Sequence, residues 1–155
     1  HYAHQQSVVH RDIKPANIMY EASSKTVKVT DFGIARITDS SRTKTGMVLG
    51  TPSYMSPEQL SGKRVDGRSD LFSLCVMMYQ MISGQLPFQG ESMAELMYCI
   101  ANAQHMNIKE HMPHLPNLLA ETLDRGLANQ ADQRFQTGAE LAAAIAKCRV
   151  AVQAI

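Results

Sequence analysis

The chain has 155 residues, 45% of them hydrophobic and 19% charged, with a formal net charge of +1. That is about one domain's length with ample apolar matter for a core, which excludes a disordered chain. The near-neutral balance gives no electrostatic case for binding nucleic acid or a membrane surface.

The first residues, "HYAHQQ", have the look of the last turns of a helix that begins earlier. The start therefore reads as a cut edge, with no leader peptide. No apolar run reaches the length of about 18 residues that a membrane helix needs, so no membrane segment is expected. Cys75, Cys99 and Cys148 are odd in number and far apart, with no C-x-x-C pair. They suggest neither a disulfide framework nor a zinc site. A reducing, cytoplasmic setting fits, and it is compatible with a membrane anchor outside this region.

"VVHRDIKPANIM", residues 8–19, sets Asp12, Lys14 and Asn17 between two apolar runs. "NIMY" and "TVKVT" then flank the polar "EASSK", which predicts a small β-hairpin. Asn17 enters that hairpin and Asp31 leaves it. Pairing of the strands would bring the two together across fourteen positions of sequence.

From residue 34 to 54 the chain turns polar and rich in Ser and Thr, as a long exposed loop does. "SPEQL" supplies an N-cap in Ser56, a proline at the first helical position and Glu58 in the first turn. Residues 69–84 are apolar nearly all round, which predicts a central buried helix stopped by Gly84 and Pro87. Helical periods continue over 91–104 and 117–128. A last helix starts at "TGAEL", where Thr137 and Glu140 have capping-box spacing. His105, His111 and His114 lack the carboxylate or cysteine of a known ligand spacing and read as surface histidines. The fold expected is mainly α with one small β-hairpin.

Phosphoryl transfer makes three demands that the polar cluster meets. A carboxylate must orient the acceptor hydroxyl and take its proton. A lysine can face the charge on the transferring phosphate, and an Asn with an Asp offers hard oxygens to magnesium. Asp12, Lys14, Asn17 and Asp31 are those groups. Each is weak evidence alone, since an Asp before an apolar run is more often a cap. The joint spacing is far more specific.

"HRDIKPAN", then "DFG", then "GTPSYMSPEQ" resemble the protein-kinase signature set in its order. The resemblance covers essentially the whole chain, 1–155, and implies the C-terminal lobe of the two-lobed α+β kinase fold. The lysine of "DIKPAN" is similar to serine/threonine kinases, and "DFGIAR" with "SPEQ" resembles the bacterial, eukaryotic-like branch.

The resemblance implies ATP with Mg²⁺ (or Mn²⁺) and protein substrates bearing Ser or Thr hydroxyls. Asp12 would be the base and Lys14 would contact the γ-phosphate. Asn17 and Asp31 would hold the metal, and Met19 would floor the adenine site, supported by Met77 and Met81. His10 and Phe32 would pack beneath, and Asp70 would cap the catalytic-loop backbone. Glu58 would pair with Arg134. Arg11 would answer phosphorylation at Thr43 or Thr45, whereas Thr51 would bond the catalytic Asp and Lys on the substrate platform.

Two departures stand out. No G-x-G-x-x-G loop, V-A-I-K lysine or partner glutamate is present, so the N-terminal lobe would be a missing partner and the chain alone inactive. Cys75 stands where the family usually has glycine, which predicts a slight shift at a helix crossing. A second reading stays open, in which a lidless kinase-like lobe serves as a binding or scaffolding module.

Overall fold

The computed structural model describes residues 1–32 and 52–153. Thr43, Thr45 and Thr51 lie outside the described residues. A one-turn helix α1 (Tyr2–Gln5) leads into the polar cluster and a short 3-10 turn at Pro15–Asn17. Strands β1 (Ile18–Glu21) and β2 (Thr26–Val29) follow, and then helices α2 (Pro57–Leu60), α3 (Gly67–Ser83), α4 (Met93–Ala101), α5 (Asn117–Gly126) and α6 (Gly138–Gln153).

The hairpin is as its pattern predicted. β1 and β2 pair antiparallel with Ile18 opposite Val29 and Glu21 opposite Thr26, across a turn at residues 22–25. Nearly every hairpin residue is exposed on both faces. A bare two-stranded ribbon is marginal in water, so its position rests on its attachments. One of these is decisive: the Asn17 carbonyl accepts from the Thr30 N–H at 2.9 Å, which places Asp31 beside Asn17.

α3 is the axis of the helical part. Asp66 caps it by accepting from the Arg68 N–H, and Gly84 ends it in the left-handed conformation, φ 74°, donating to the Gln80 carbonyl at 2.8 Å. Between these caps Phe72, Cys75, Val76 and Tyr79 are fully or almost fully buried. Phe72 stacks on Phe88 at 5.7 Å. Leu123 and Leu127, from and just past α5, complete the core with Leu141 of α6. Each such side chain contributes about 1.5–3 kcal/mol by burial, so packing rather than helix propensity decides this architecture.

Sequence and structure differ in several places. Met77 is buried but Met81 is 75% exposed, so of the two methionines expected to support the adenine floor from a buried helix only Met77 is buried. α4 spans Met93–Ala101 rather than 91–104, because Ser92 caps it and the chain turns at Asn102. His105 is not an ordinary surface residue: it packs edge-on against Phe88 and meets Asp124 at 2.9 Å.

The crossing of α3 and α5 answers the question raised by Cys75. A side chain begun at Gly126 would put its Cβ 2.2 Å from the Cys75 sulfur. The thiol therefore occupies the space that Gly126 leaves empty. The extra volume on α3 is matched by an absent side chain on α5.

Candidate active site

Pro15 opens the 3-10 turn that carries Asn17 into the interior, where the side chain is 5% exposed. Its amide Nδ2 donates to the Asp12 carbonyl at 2.8 Å and to Asp12 Oδ2 at 3.0 Å. Lys14 Nζ meets the same Oδ2 at 2.8 Å. Asp12, Lys14 and Asn17 therefore form one cluster around a single carboxylate.

The Asp12–Lys14 pair is not a structural clasp. Its side chains are 45% and 39% exposed, and exposed pairs contribute only about 0–1 kcal/mol. Its arrangement suits contact with something outside the fold. Asn17 has both amide hydrogens engaged, and no hydrogen bond among the described residues uses its Oδ1. Asp31 is exposed at the hairpin exit. Two hard oxygens, an amide and a carboxylate, on adjoining backbone suit magnesium, which takes one or two protein oxygens and keeps waters.

The backbone beneath is unusual. Arg11 and Asp31 have left-handed φ of 68° and 62°. Such a conformation costs a non-glycine residue about 1–3 kcal/mol and persists only where its surroundings hold it. Asp70 of α3, buried, does the holding at Arg11. Its Oδ1 accepts from the Arg11 N–H at 2.7 Å and its Oδ2 from the His10 N–H at 2.8 Å. His10 is buried, its Nδ1 accepts from the Asp12 N–H at 3.2 Å, and its Nε2 donates to the Thr30 carbonyl at 2.7 Å. Its ring also meets Phe32 edge-on at 4.7 Å. One histidine thus ties the Asp12 backbone to the end of β2. Met19 is 61% exposed on the hairpin.

Glu58 and Arg134 pair as the resemblance implied. Two parallel bonds, 2.7 and 2.8 Å, join the guanidinium to the carboxylate, and the Arg134 side chain has no solvent exposure. Arg134 also donates to the Ala128 and Asn129 carbonyls at 2.7 Å and lies over the Phe72 ring. Burial pushes the Glu58 carboxyl up. The Arg134 and Ser69 hydrogen bonds and the Arg134 charge outweigh it and hold the group below the ordinary glutamate value.

Two residues of this scaffold escaped the sequence reading. His4 Nε2 meets Asp70 Oδ2 at 2.8 Å, and no pattern in "HYAHQQ" announced it. Gln59 completes a capping box with Ser56 and donates from Nε2 to the Arg11 carbonyl at 2.7 Å. The S-x-x-Q spacing at 56–59 could have revealed the first of these roles.

This combination of a hairpin-edged polar cluster and a helical platform defines a kinase-type lobe, and the protein kinase domain model matches residues 1–144. The chain belongs to the protein kinase domain family. It is 42% identical over 151 residues to the serine/threonine-protein kinase PknB of Mycolicibacterium smegmatis, covering 92% of this chain and 23% of that protein. It is 41% identical to PknB of Mycobacterium tuberculosis over a similar share. To the DNA damage-responsive serine/threonine-protein kinase RqkA of Deinococcus radiodurans it is 36% identical, covering 92% of this chain and 21% of the relative. The chain thus spans less than a quarter of the length of these relatives.

Proposed function

We propose that these residues form the catalytic half of a serine/threonine protein kinase that transfers the γ-phosphate of ATP to protein hydroxyls. The Asp12–Lys14–Asn17 cluster carries this reading, because a scaffold has no chemical use for it.

In this reading the Asp12 carboxylate orients the acceptor hydroxyl and takes its proton as the oxygen attacks the γ-phosphorus. The new O–P bond forms as the bond to the β-phosphate oxygen breaks, and ADP leaves. Lys14 lies against Asp12 Oδ2 and puts its positive charge beside the transferring group. The Asn17 amide holds the Asp12 carboxylate through its bond to Oδ2 and the Asp12 backbone through its bond to the carbonyl. Asn17 Oδ1 and the Asp31 carboxylate would hold magnesium, which supplies neutralising charge at the phosphates when bound. Met19 would contact the adenine, and Thr51 would join the substrate platform. Arg11 would receive a phosphate on Thr43 or Thr45.

The glycine-rich loop and strand lysine that cover the nucleotide in the family are not among these 155 residues. Catalysis by these residues alone should therefore be minimal. The test is Asp12→Asn in the intact protein. Turnover should fall about 10²–10⁴-fold, the range for a positioned general base, with nucleotide affinity unchanged. Parental turnover in the variant would sink the assignment.

A further inference from the structure

The left-handed Arg11 is held at both of its backbone polar groups. Its N–H is taken by Asp70 of α3, as described above. Its carbonyl accepts from Gln59 Nε2 of α2 at 2.7 Å. Two side chains from two different helices thus fix the peptide planes on either side of a residue whose φ, 68°, is intrinsically unfavourable. The plane that Gln59 holds is the one leading into Asp12.

Gln59 is suited to this task because its other end is already fixed. Its Oε1 accepts from the Ser56 N–H at 3.0 Å and from the Ser56 hydroxyl at 3.2 Å, and its own N–H reaches Ser56 Oγ at 3.4 Å. The amide cannot swing away without breaking the helix cap. The same four-residue helix is anchored by the neighbouring Glu58 to Arg134.

We infer that Gln59 is a positioning residue that couples the anchored α2 helix to the catalytic loop by holding the Arg11–Asp12 peptide plane. The inference rests on the assignment of Asp12 as the base. It acts through backbone geometry alone, so Gln59 itself touches neither nucleotide nor acceptor.

The chemistry of the box permits a selective test. Gln59→Glu keeps an acceptor for Ser56, since Glu serves that role as well as Gln. It replaces the donor facing the Arg11 carbonyl with a second acceptor. Ser56→Ala does the converse: it removes the hydroxyl from the cap, while the Ser56 backbone N–H still holds Oε1 and so keeps Nε2 in place.

Each variant is made in the intact protein and compared with the parent and with Asp12→Asn. Gln59→Glu should lower kcat about tenfold, with KM for MgATP within twofold and a fall in Tm at pH 7 no larger than that of Ser56→Ala. Ser56→Ala should lower Tm by a few degrees, the usual effect of losing a cap, with kcat near the parent. The ratio of Gln59→Glu to parental kcat should also rise as pH falls from about 8 to 5.5. Once protonated, the introduced carboxyl regains a donor, and a carboxylate facing a carbonyl protonates above its usual range. A parental kcat in Gln59→Glu overturns the inference, as does a kcat loss that acid leaves unchanged or that Ser56→Ala reproduces. If Asp12→Asn keeps its turnover, the catalytic assignment itself fails, which is a distinct result.

Discussion

Replacing Arg134 by Met tests the long-range anchor most directly. Methionine refills much of the volume, so the cavity contribution stays small and the lost charge dominates. Glu58, only 13% exposed, then keeps the Ser69 hydroxyl but loses both guanidinium bonds. The Ala128 and Asn129 carbonyls lose their donors as well. Breaking one partner of a buried pair costs about 3–5 kcal/mol. At about 2–4 °C per kcal/mol for a chain of this size, Tm should fall by about 6–20 °C. Urea unfolding followed by far-ultraviolet circular dichroism gives the free energy directly.

The pH dependence supplies the sign. In the parent, Glu58 titrates below its unfolded value of about 4.3, so its contribution is complete above that pH and is lost as pH falls further. In Arg134→Met the stranded carboxyl titrates above that value instead, because burial is no longer outweighed. The gap in stability between the two proteins should therefore narrow steadily from pH 7 to 3.5. A loss under about 1 kcal/mol at pH 7, or a gap that is constant with pH, would refute the account.

Asp70→Asn should cost about 2–3 kcal/mol and lower turnover. Its new amide cannot accept from both the His10 and Arg11 N–H groups, which leaves a buried donor unpaired. Unchanged denaturation midpoints would contradict the holding role given to Asp70. Thiol reactivity should single out Cys99, which is partly exposed, whereas Cys75 and Cys148 are buried and burial pushes the Cys75 thiol up to about 12. Ellman titration of the native protein should find one fast thiol and release the other two only on unfolding. Rapid labelling mapped to Cys75 near pH 7 would show that the α3–α5 crossing opens.

The sequence was most legible where local chemistry and burial agree. The hairpin followed from β-branched runs around a polar turn. The start of α2 followed from Ser56 and Pro57, and the centre of α3 from its unbroken apolar run. The Asp12–Lys14–Asn17 cluster was readable because its members lie within six residues of each other. Contacts closed by tertiary packing were not legible from pattern alone, and the Glu58–Arg134 pair and the Asp70 cap were expected only through the family resemblance. His4 reaches Asp70 across 66 positions, and Gln59 reaches a carbonyl 48 positions away. A backbone acceptor leaves no trace in the side-chain sequence. The final helix shows the intermediate case: Thr137 Oγ1 does accept from the Glu140 N–H, but the Glu140 carboxylate turns to the Gln136 N–H instead. Spacing announced the cap, and geometry chose the partner.

The thiol seated in the space above Gly126 has a consequence for how this crossing can change over generations. Neither position drifts independently. Any side chain gained at 126 while the sulfur remains would force two helices of the core apart, so position 75 must shrink first. Glycine at 75 would leave a void where the sulfur now sits, and only then could alanine at 126 fill part of it. The path is ordered, and its middle step is a loosened core. A lineage that has acquired the cysteine is thus held to its glycine by the shape of the lock it has made.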